Sequence, residues 1–173
     1  MNWNFCPNCG TKGSVAKQDD TNYECTICSW HHWNNAKGAV ALAFVRDDRL
    51  LFSKRGRKTD PNFGKYELPG GFIDFGESAY DASIREAKEE LNITIARDEL
   101  ELLEVYHNDF NVKSAGVFSI DLVFLVHDWQ GEMHAQDDVA SVSWKPFDFI
   151  YDDDFCQKFY TGLDNKLRAR LEK

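Results

Sequence analysis

The chain has 173 residues, 43% hydrophobic, with a formal net charge of −9 and five cysteines. That length suits one ordinary domain with a small appendage. The acidity argues against a general nucleic-acid binder, which presents a basic surface, although a bound metal ion can reverse the local field for a small anionic substrate. The start, Met1 to Phe5, has neither the basic residues nor the apolar core of a signal peptide. The longest apolar stretch, Val117 to Val126, is interrupted by Ser119 and Asp121 and falls short of the roughly 20 residues of a membrane helix. The expectation is a cytoplasmic protein with no membrane partner.

The first element is a pair of Cys-x-x-Cys knuckles, Cys6/Cys9 and Cys25/Cys28, with Gly10 following the first. Each knuckle offers two thiolates from one tight turn, and two facing knuckles make a closed tetrahedral zinc site, structural rather than catalytic. An odd number of cysteines without an export signal disfavours a disulfide framework. His31 and His32 are alternative ligands. Residues 1–35 are therefore read as a zinc ribbon and 36–173 as a second domain, with Trp30 to Lys37 as linker.

Gly38 to Val45 is a near-continuous apolar run, which suits a central strand buried on both faces. Asp47-Asp48 is a hairpin turn, and Arg49 to Ser53 the returning strand. Lys54, Arg55, Arg57, Lys58 and Lys65 then gather around Gly56, Pro61 and Gly64. A loop this basic is either solvated or binds an anion. Tyr66 to Phe72 reads as a short strand entering a glycine turn at Gly70-Gly71, where the backbone can approach a ligand closely.

Ser78 is the expected N-cap of a helix over Ala79–Leu91, with Asp81 three residues on. At 100° per residue Ile84, Ala87 and Leu91 form the core face. Glu86, Glu89 and Glu90 fall opposite, at i,i+3 and i,i+4 spacing, and converge. Like charges at this spacing oppose the helix unless a cation binds, and carboxylate oxygens suit Mg²⁺ or Mn²⁺. Alone, the pattern also fits a solvated acidic face. Arg85 lies i,i+4 from Glu89 and can orient it. Asn92 tolerates the left-handed cap. Strands follow at Leu100–Tyr106, Val117–Val126 and Val139–Trp144. A terminal helix is expected over Asp152–Leu171 from Phe155, Phe159, Leu163, Leu167 and Leu171. Cys156 reads as a small buried hydrophobe.

Gly71, Glu77, Arg85-Glu86-Ala87, Glu89-Glu90, Asn92 and Ile93 together resemble the Nudix box, G-x5-E-x7-R-E-U-x-E-E-x-G-U with U apolar, Asn92 replacing the last glycine. The resemblance covers about residues 38 to 150 and implies an α/β fold, an α/β/α sandwich around a mixed β-sheet. It also implies hydrolysis of a nucleoside diphosphate linked to another moiety. By the same resemblance Glu86 and Glu90 bind divalent ions, Glu89 is a further ligand or activates water, and the Gly70 carbonyl completes the shell. Gly71, Glu77 and Arg85 support the loop–helix arrangement. A further loop carboxylate is expected from Asp137, Asp138 or Glu132.

A ribbon before such a domain resembles the NADH pyrophosphatase and ADP-ribose pyrophosphatase branch. However, Tyr106 to Val112 contains no proline and lacks the Ser-Gln-Pro-Trp-Pro-Phe-Pro-x-Ser signature of the first group. The expected substrate is NADH, ADP-ribose or a related dinucleotide or nucleotide sugar, contacted through Arg55, Arg57, Lys65 and Asp138. Phe63, Tyr66, Phe110 and Phe118 are candidates for base stacking. The alternatives are a sanitising hydrolase for modified nucleoside triphosphates, or a nucleotide-sensing or RNA-associated module whose ribbon recruits a partner. The family and the ribbon also make a homodimer an expectation.

Overall fold

The structure is a computed structural model and describes residues 3–110 and 117–172. Two sheets organise it. The small one has the order β1-β2-β3, from Val15–Lys17, Asn22–Cys25 and His31–Trp33, all antiparallel. Its third strand lies in the stretch read above as linker: Cys25 N–H donates to Trp30 O at 2.8 Å, so the chain folds back after the second knuckle.

The larger sheet is mixed, with a core order β10-β5-β4-β9-β8. These strands are Val139–Pro146, Arg49–Arg55, Lys37–Arg46, Val117–Val126 and Leu100–Phe110. β4 and β9 run parallel, and the other pairings are antiparallel. The hairpin between β4 and β5 turns at Asp47 and Asp48, which have φ of 50° and 56°. Positive φ at both central residues matches the right-handed twist of the flanking strands. Two short strands, β6 (Tyr66–Glu67) and β7 (Gly70–Phe72), pair with β5 and β4.

The apolar run of β4 is buried on both faces, as its composition predicts. Ala41 and Ala43 pack with Val123, Leu125 and the C-terminal segment, while Val40, Leu42 and Phe44 pack under helix α1, Ala79–Leu91. That gives the expected α/β/α layering, with β4 and β9 in the middle. Ser78 caps α1 by accepting from Asp81 N–H, and Asn92 ends it at φ 58°.

The C-terminal segment departs from the expected long helix. Only Leu163–Leu171 is α-helical (α2); Phe147–Tyr151 is a 3₁₀ turn and the chain between is irregular. Gly162, at φ 77°, precedes the helix in a left-handed conformation that an α-helix cannot contain. The apolar spacing before it serves other packing. Phe155 makes a parallel bridge to Tyr66, and Tyr160 is buried with its hydroxyl on Asp121. Phe155, Leu163 and Leu167 do reach the core, whereas Leu171 is exposed. Among the described residues no helix is long and apolar enough to cross a membrane.

Candidate active site and metal centres

Cys6 and Cys9 sit in the turn before β1, Cys25 ends β2, and Cys28 lies in the turn before β3. Backbone bonds close each knuckle: Gly10 N–H to Cys6 O at 2.9 Å and Ser29 N–H to Cys25 O at 3.0 Å. The four sulfurs lie within 4.8 Å of one another, with Cys6–Cys28 at 3.7 Å and Cys9–Cys25 at 3.8 Å. A tetrahedral ion with metal–sulfur bonds of about 2.3 Å requires sulfurs about 3.8 Å apart, so the donor set fits. The histidines lie outside it. His32 is packed among Trp3, Tyr23 and Trp30, and His31 faces Ser29 O and Glu24.

The second centre forms where β7 meets α1. A cavity of about 540 Å³ opens there. One wall carries Glu86, Glu89 and Glu90 from α1, facing Gly70 and Gly71. Gly70 N–H donates to Glu90 Oε2 at 3.0 Å. A Cβ at either glycine would force a shift, of backbone at Gly70 and of the Glu86 side-chain end at Gly71. A Cβ on Gly71 would lie 2.3 Å from Glu86 Oε1, and one on Gly70, at φ 142°, would lie 2.2 Å from Val40 O.

Arg85 ties this wall together. Its guanidinium donates to Glu77 at 2.9 and 3.0 Å, to Glu86 at 2.8 Å, to Glu89 at 3.0 Å and to Phe72 O at 2.9 Å. One planar fork thus fixes the loop after β7 against two turns of α1. Glu77 is held below the usual carboxylate range by Arg85.

The helical wheel misplaces one of the three glutamates. Glu90 is only 5% exposed, on the buried side with Ala82, Ser83, Ala87 and Leu91, while Ile84 is half-buried. Glu89 is exposed, and the three carboxylates do not gather into a tight cluster. Among the described residues the cysteines alone form a group of three or more metal-ligating side chains within 4.8 Å. Burial pushes Glu90 well above the usual carboxylate range, and nearby Glu67 adds to the effect. Burial also raises Glu86, against the pull of Arg85. A carboxylate buried without a cation is costly, so this wall is complementary to positive charge.

Sequence reasoning passed over two further lining carboxylates. Glu67 in β6 is buried and pushed up to about 7 by desolvation, against the opposing effect of Arg55. Asp121 lies in β9. Glu67 stands just before Leu-Pro-Gly-Gly, a position that could have drawn notice. Asp121 carried a weaker signal, as the one charge inside the longest apolar run.

The basic loop separates on folding. Arg55 and Arg57 line the cavity, but Arg55 is paired with Asp60 and Glu67. Arg57 is 4.0 Å from Asp138, and Asp137 and Asp138 form the facing rim. Lys65 does not line the cavity; its ammonium reaches Asp153 O, because the hairpin around Gly64 turns it outward. Glu132 lines a different cavity, beside Trp129 and Trp144. Nor do Phe63, Tyr66 or Phe118 line the site, and the Phe110 side chain lies outside the described residues, as do Asn111 and Val112. Among the described residues, the aromatic side chain that lines it is Phe72.

A glycine-lined strand end opposed by a glutamate-bearing helix, beside arginines, offers groups of both signs, the chemistry that cations and phosphates together call for. The profile of the NUDIX domain matches residues 35–160, and the chain belongs to the Nudix family. It is 38% identical over 106 residues to an ADP-ribose pyrophosphatase of Methanocaldococcus jannaschii, an overlap covering 61% of this chain and 59% of that one. It is 32% identical over 91 residues to the NAD-capped RNA hydrolase NudC of Haemophilus influenzae, covering 53% of this chain and 34% of the relative. The chain therefore matches about a third of the NudC relatives' length. Among solved structures, a MutT NUDIX hydrolase from Burkholderia pseudomallei superposes with a TM-score of 0.58 at 31% identity, over 66% of this chain and 85% of that one. A NUDIX hydrolase from Nitrosomonas europaea shares the fold with a TM-score of 0.64 at 22% identity, over 98% and 91%.

Proposed function

We propose that this protein is a divalent-metal-dependent pyrophosphohydrolase acting on a nucleoside diphosphate linked to a second moiety, with NADH and ADP-ribose as the substrates to test. The observation that carries this is that Glu86, Glu89 and Glu90 and the Gly70–Gly71 backbone, which touches Glu86 and Glu90, line one cavity large enough for such a molecule.

Glu86, Glu90 and the Gly70 carbonyl would hold Mg²⁺ or Mn²⁺. Such an ion supplies neutralisation of the diphosphate and lowers the pKa of a coordinated water. The rest falls to side chains. Arg85 keeps Glu86 and Glu89 in place, and the Gly70 N–H keeps Glu90 in place. Arg57, exposed on the rim, meets the phosphates, while Arg55 holds Glu67 and Asp60. Asp138 is the rim carboxylate that contacts the substrate. In the reaction a water oxygen bonds to phosphorus, the bridging P–O bond breaks toward the leaving phosphate, and Glu89 takes the water proton.

The ribbon, residues 1–35, is a structural zinc module, and residues 36–173 are the catalytic domain. A cytoplasmic location and a homodimer accord with this reading. The Haemophilus relative, an NAD-capped RNA hydrolase, adds NAD-capped RNA to the candidate substrates, since the capped end carries the same anhydride. The test is product analysis with NADH, ADP-ribose, NAD-capped RNA and a modified nucleoside triphosphate, each with Mg²⁺ or Mn²⁺. AMP from the first two supports the reading; cleavage of the triphosphate alone moves the protein to the sanitising class.

A further inference from the structure

One buried charge in the cavity takes no part in that chemistry. Asp121 is 3% exposed and lines the cavity away from α1. Its two oxygens accept from neutral hydroxyls: Ser119 on one side and Tyr160 at 2.9 Å on the other. Among the described residues no ion pair involves it and it joins no metal-ligating group of three or more. Burial raises its pKa, and the two hydroxyls oppose this.

Tethering Tyr160 does not require a carboxylate, because the single oxygen of a neutral amide would accept that hydroxyl while its N–H donated to the Ser119 oxygen. A charge buried without a counter-ion is a standing cost, and hydroxyl donors on both sides favour its acceptor form. Each carboxylate oxygen has a second lone pair, which these contacts leave for a ligand.

Register shows what that ligand meets. Ala39 in β4 pairs with Phe72 in β7 on one side and with Asp121 in β9 on the other. The three side chains form a transverse row on one face of the sheet. The small Ala39 stands between the aromatic ring and the carboxylate, and Lys37, whose ammonium lies 5.0 Å from the centre of the Phe72 ring, lines the same cavity. Two strand spacings and two residues separate Asp121 from Gly70, about 12 Å between Cα atoms. A substrate whose diphosphate lies at Gly70 therefore extends its far end along this row.

We propose that Asp121 is a specificity-determining residue, accepting a hydrogen bond from an N–H donor on the planar ring at the non-reacting end of the substrate. This rests on the pyrophosphohydrolase reading above. Two groups offer the same chemistry, the 6-amino group of adenine and the carboxamide of nicotinamide, and a matched substrate set separates them.

The experiment measures kcat/KM of the wild type and Asp121→Asn on ADP-ribose against its hypoxanthine analogue, and on NADH against the reduced nicotinic acid analogue. Replacing the amine by an oxo group, or the amide by a carboxylate, sets an acceptor against Asp121. The wild type should prefer the donor-bearing member of one pair. Asn can offer N–H to the oxo form, so the variant should lose that preference by about tenfold or more. A shift confined to the first pair identifies adenine as the group read, and a shift confined to the second identifies the carboxamide. Ser119→Ala keeps the carboxylate but removes one hydroxyl that aims it. It should raise KM for the preferred substrate, leave kcat unchanged, and decide the question if Asp121→Asn does not fold. A wild type that cleaves these substrates while both preferences stay unchanged in the variants overturns the proposal. A wild type that cleaves none of them removes the underlying reading, and this inference with it.

Discussion

The two candidate metal sites solve opposite problems. The four sulfurs of the ribbon already stand at the spacing of one tetrahedral ion, and the knuckles that carry them are closed by their own backbone bonds. The glutamate wall is open. Its carboxylates are spread through a cavity, and their donors come from the protein itself: Arg85 and the Gly70 amide. A structural site can close its shell because nothing has to enter. A site that processes a diphosphate would have to keep positions open, and under the proposed function the separation of these carboxylates fits that need.

The largest expected effect breaks the open site. Glu90→Gln keeps the shape and the Gly70 contact but removes the charge, so hydrolysis should fall by at least about 10²-fold while circular dichroism remains native. Next, Gly71→Ala places a methyl against the Glu86 carboxylate. The displacement should cost about 10²-fold in kcat/KM with little loss of Tm, since misplacement by about 1 Å is enough. On the closed site, Cys6→Ser with Cys25→Ser should abolish one bound zinc per chain by metal analysis and unfold the ribbon at a lower temperature, while hydrolysis by the Nudix domain persists.

The smallest effect is on pH. Glu90 has a raised pKa in the folded protein, so without metal the native state binds more protons than the unfolded chain above about pH 4.3. Metal-free stability should therefore decline as pH rises from there, until Glu90 has ionised in the folded state too. Glu90→Gln should flatten this slope, and added Mn²⁺ should offset it in the wild type but not in the variant. Thermal denaturation across pH checks both.

The closed site was also the more legible in sequence. Cys-x-x-Cys spacing fixes which atoms meet, because the turn is local. The open site was half legible. Gly70-Gly71, the capped helix and the run Arg85 to Glu90 could be placed by local rules. The wheel still set Glu90 with the solvent-facing residues, because the strand carrying Gly70 comes from elsewhere and buries it. Glu67 and Asp121 were missed for the same reason, since only strand pairing brings β6 and β9 to one cavity. Lys65 shows the converse: a basic cluster in sequence divides when a hairpin points its members to different sides. The apolar spacing of residues 155–171 fitted a single helix, yet Gly162 and the Tyr160–Asp121 bond give its first half another shape.

The most direct test of the contrast is a titration of Mn²⁺ into protein stripped of loosely bound ions, following ADP-ribose hydrolysis and bound zinc together. The account predicts no hydrolysis before Mn²⁺ is added, saturable activation afterwards that Glu90→Gln abolishes, and about one zinc per chain throughout. Full hydrolysis without added divalent ion, or activation that is equal in Glu90→Gln, would contradict it.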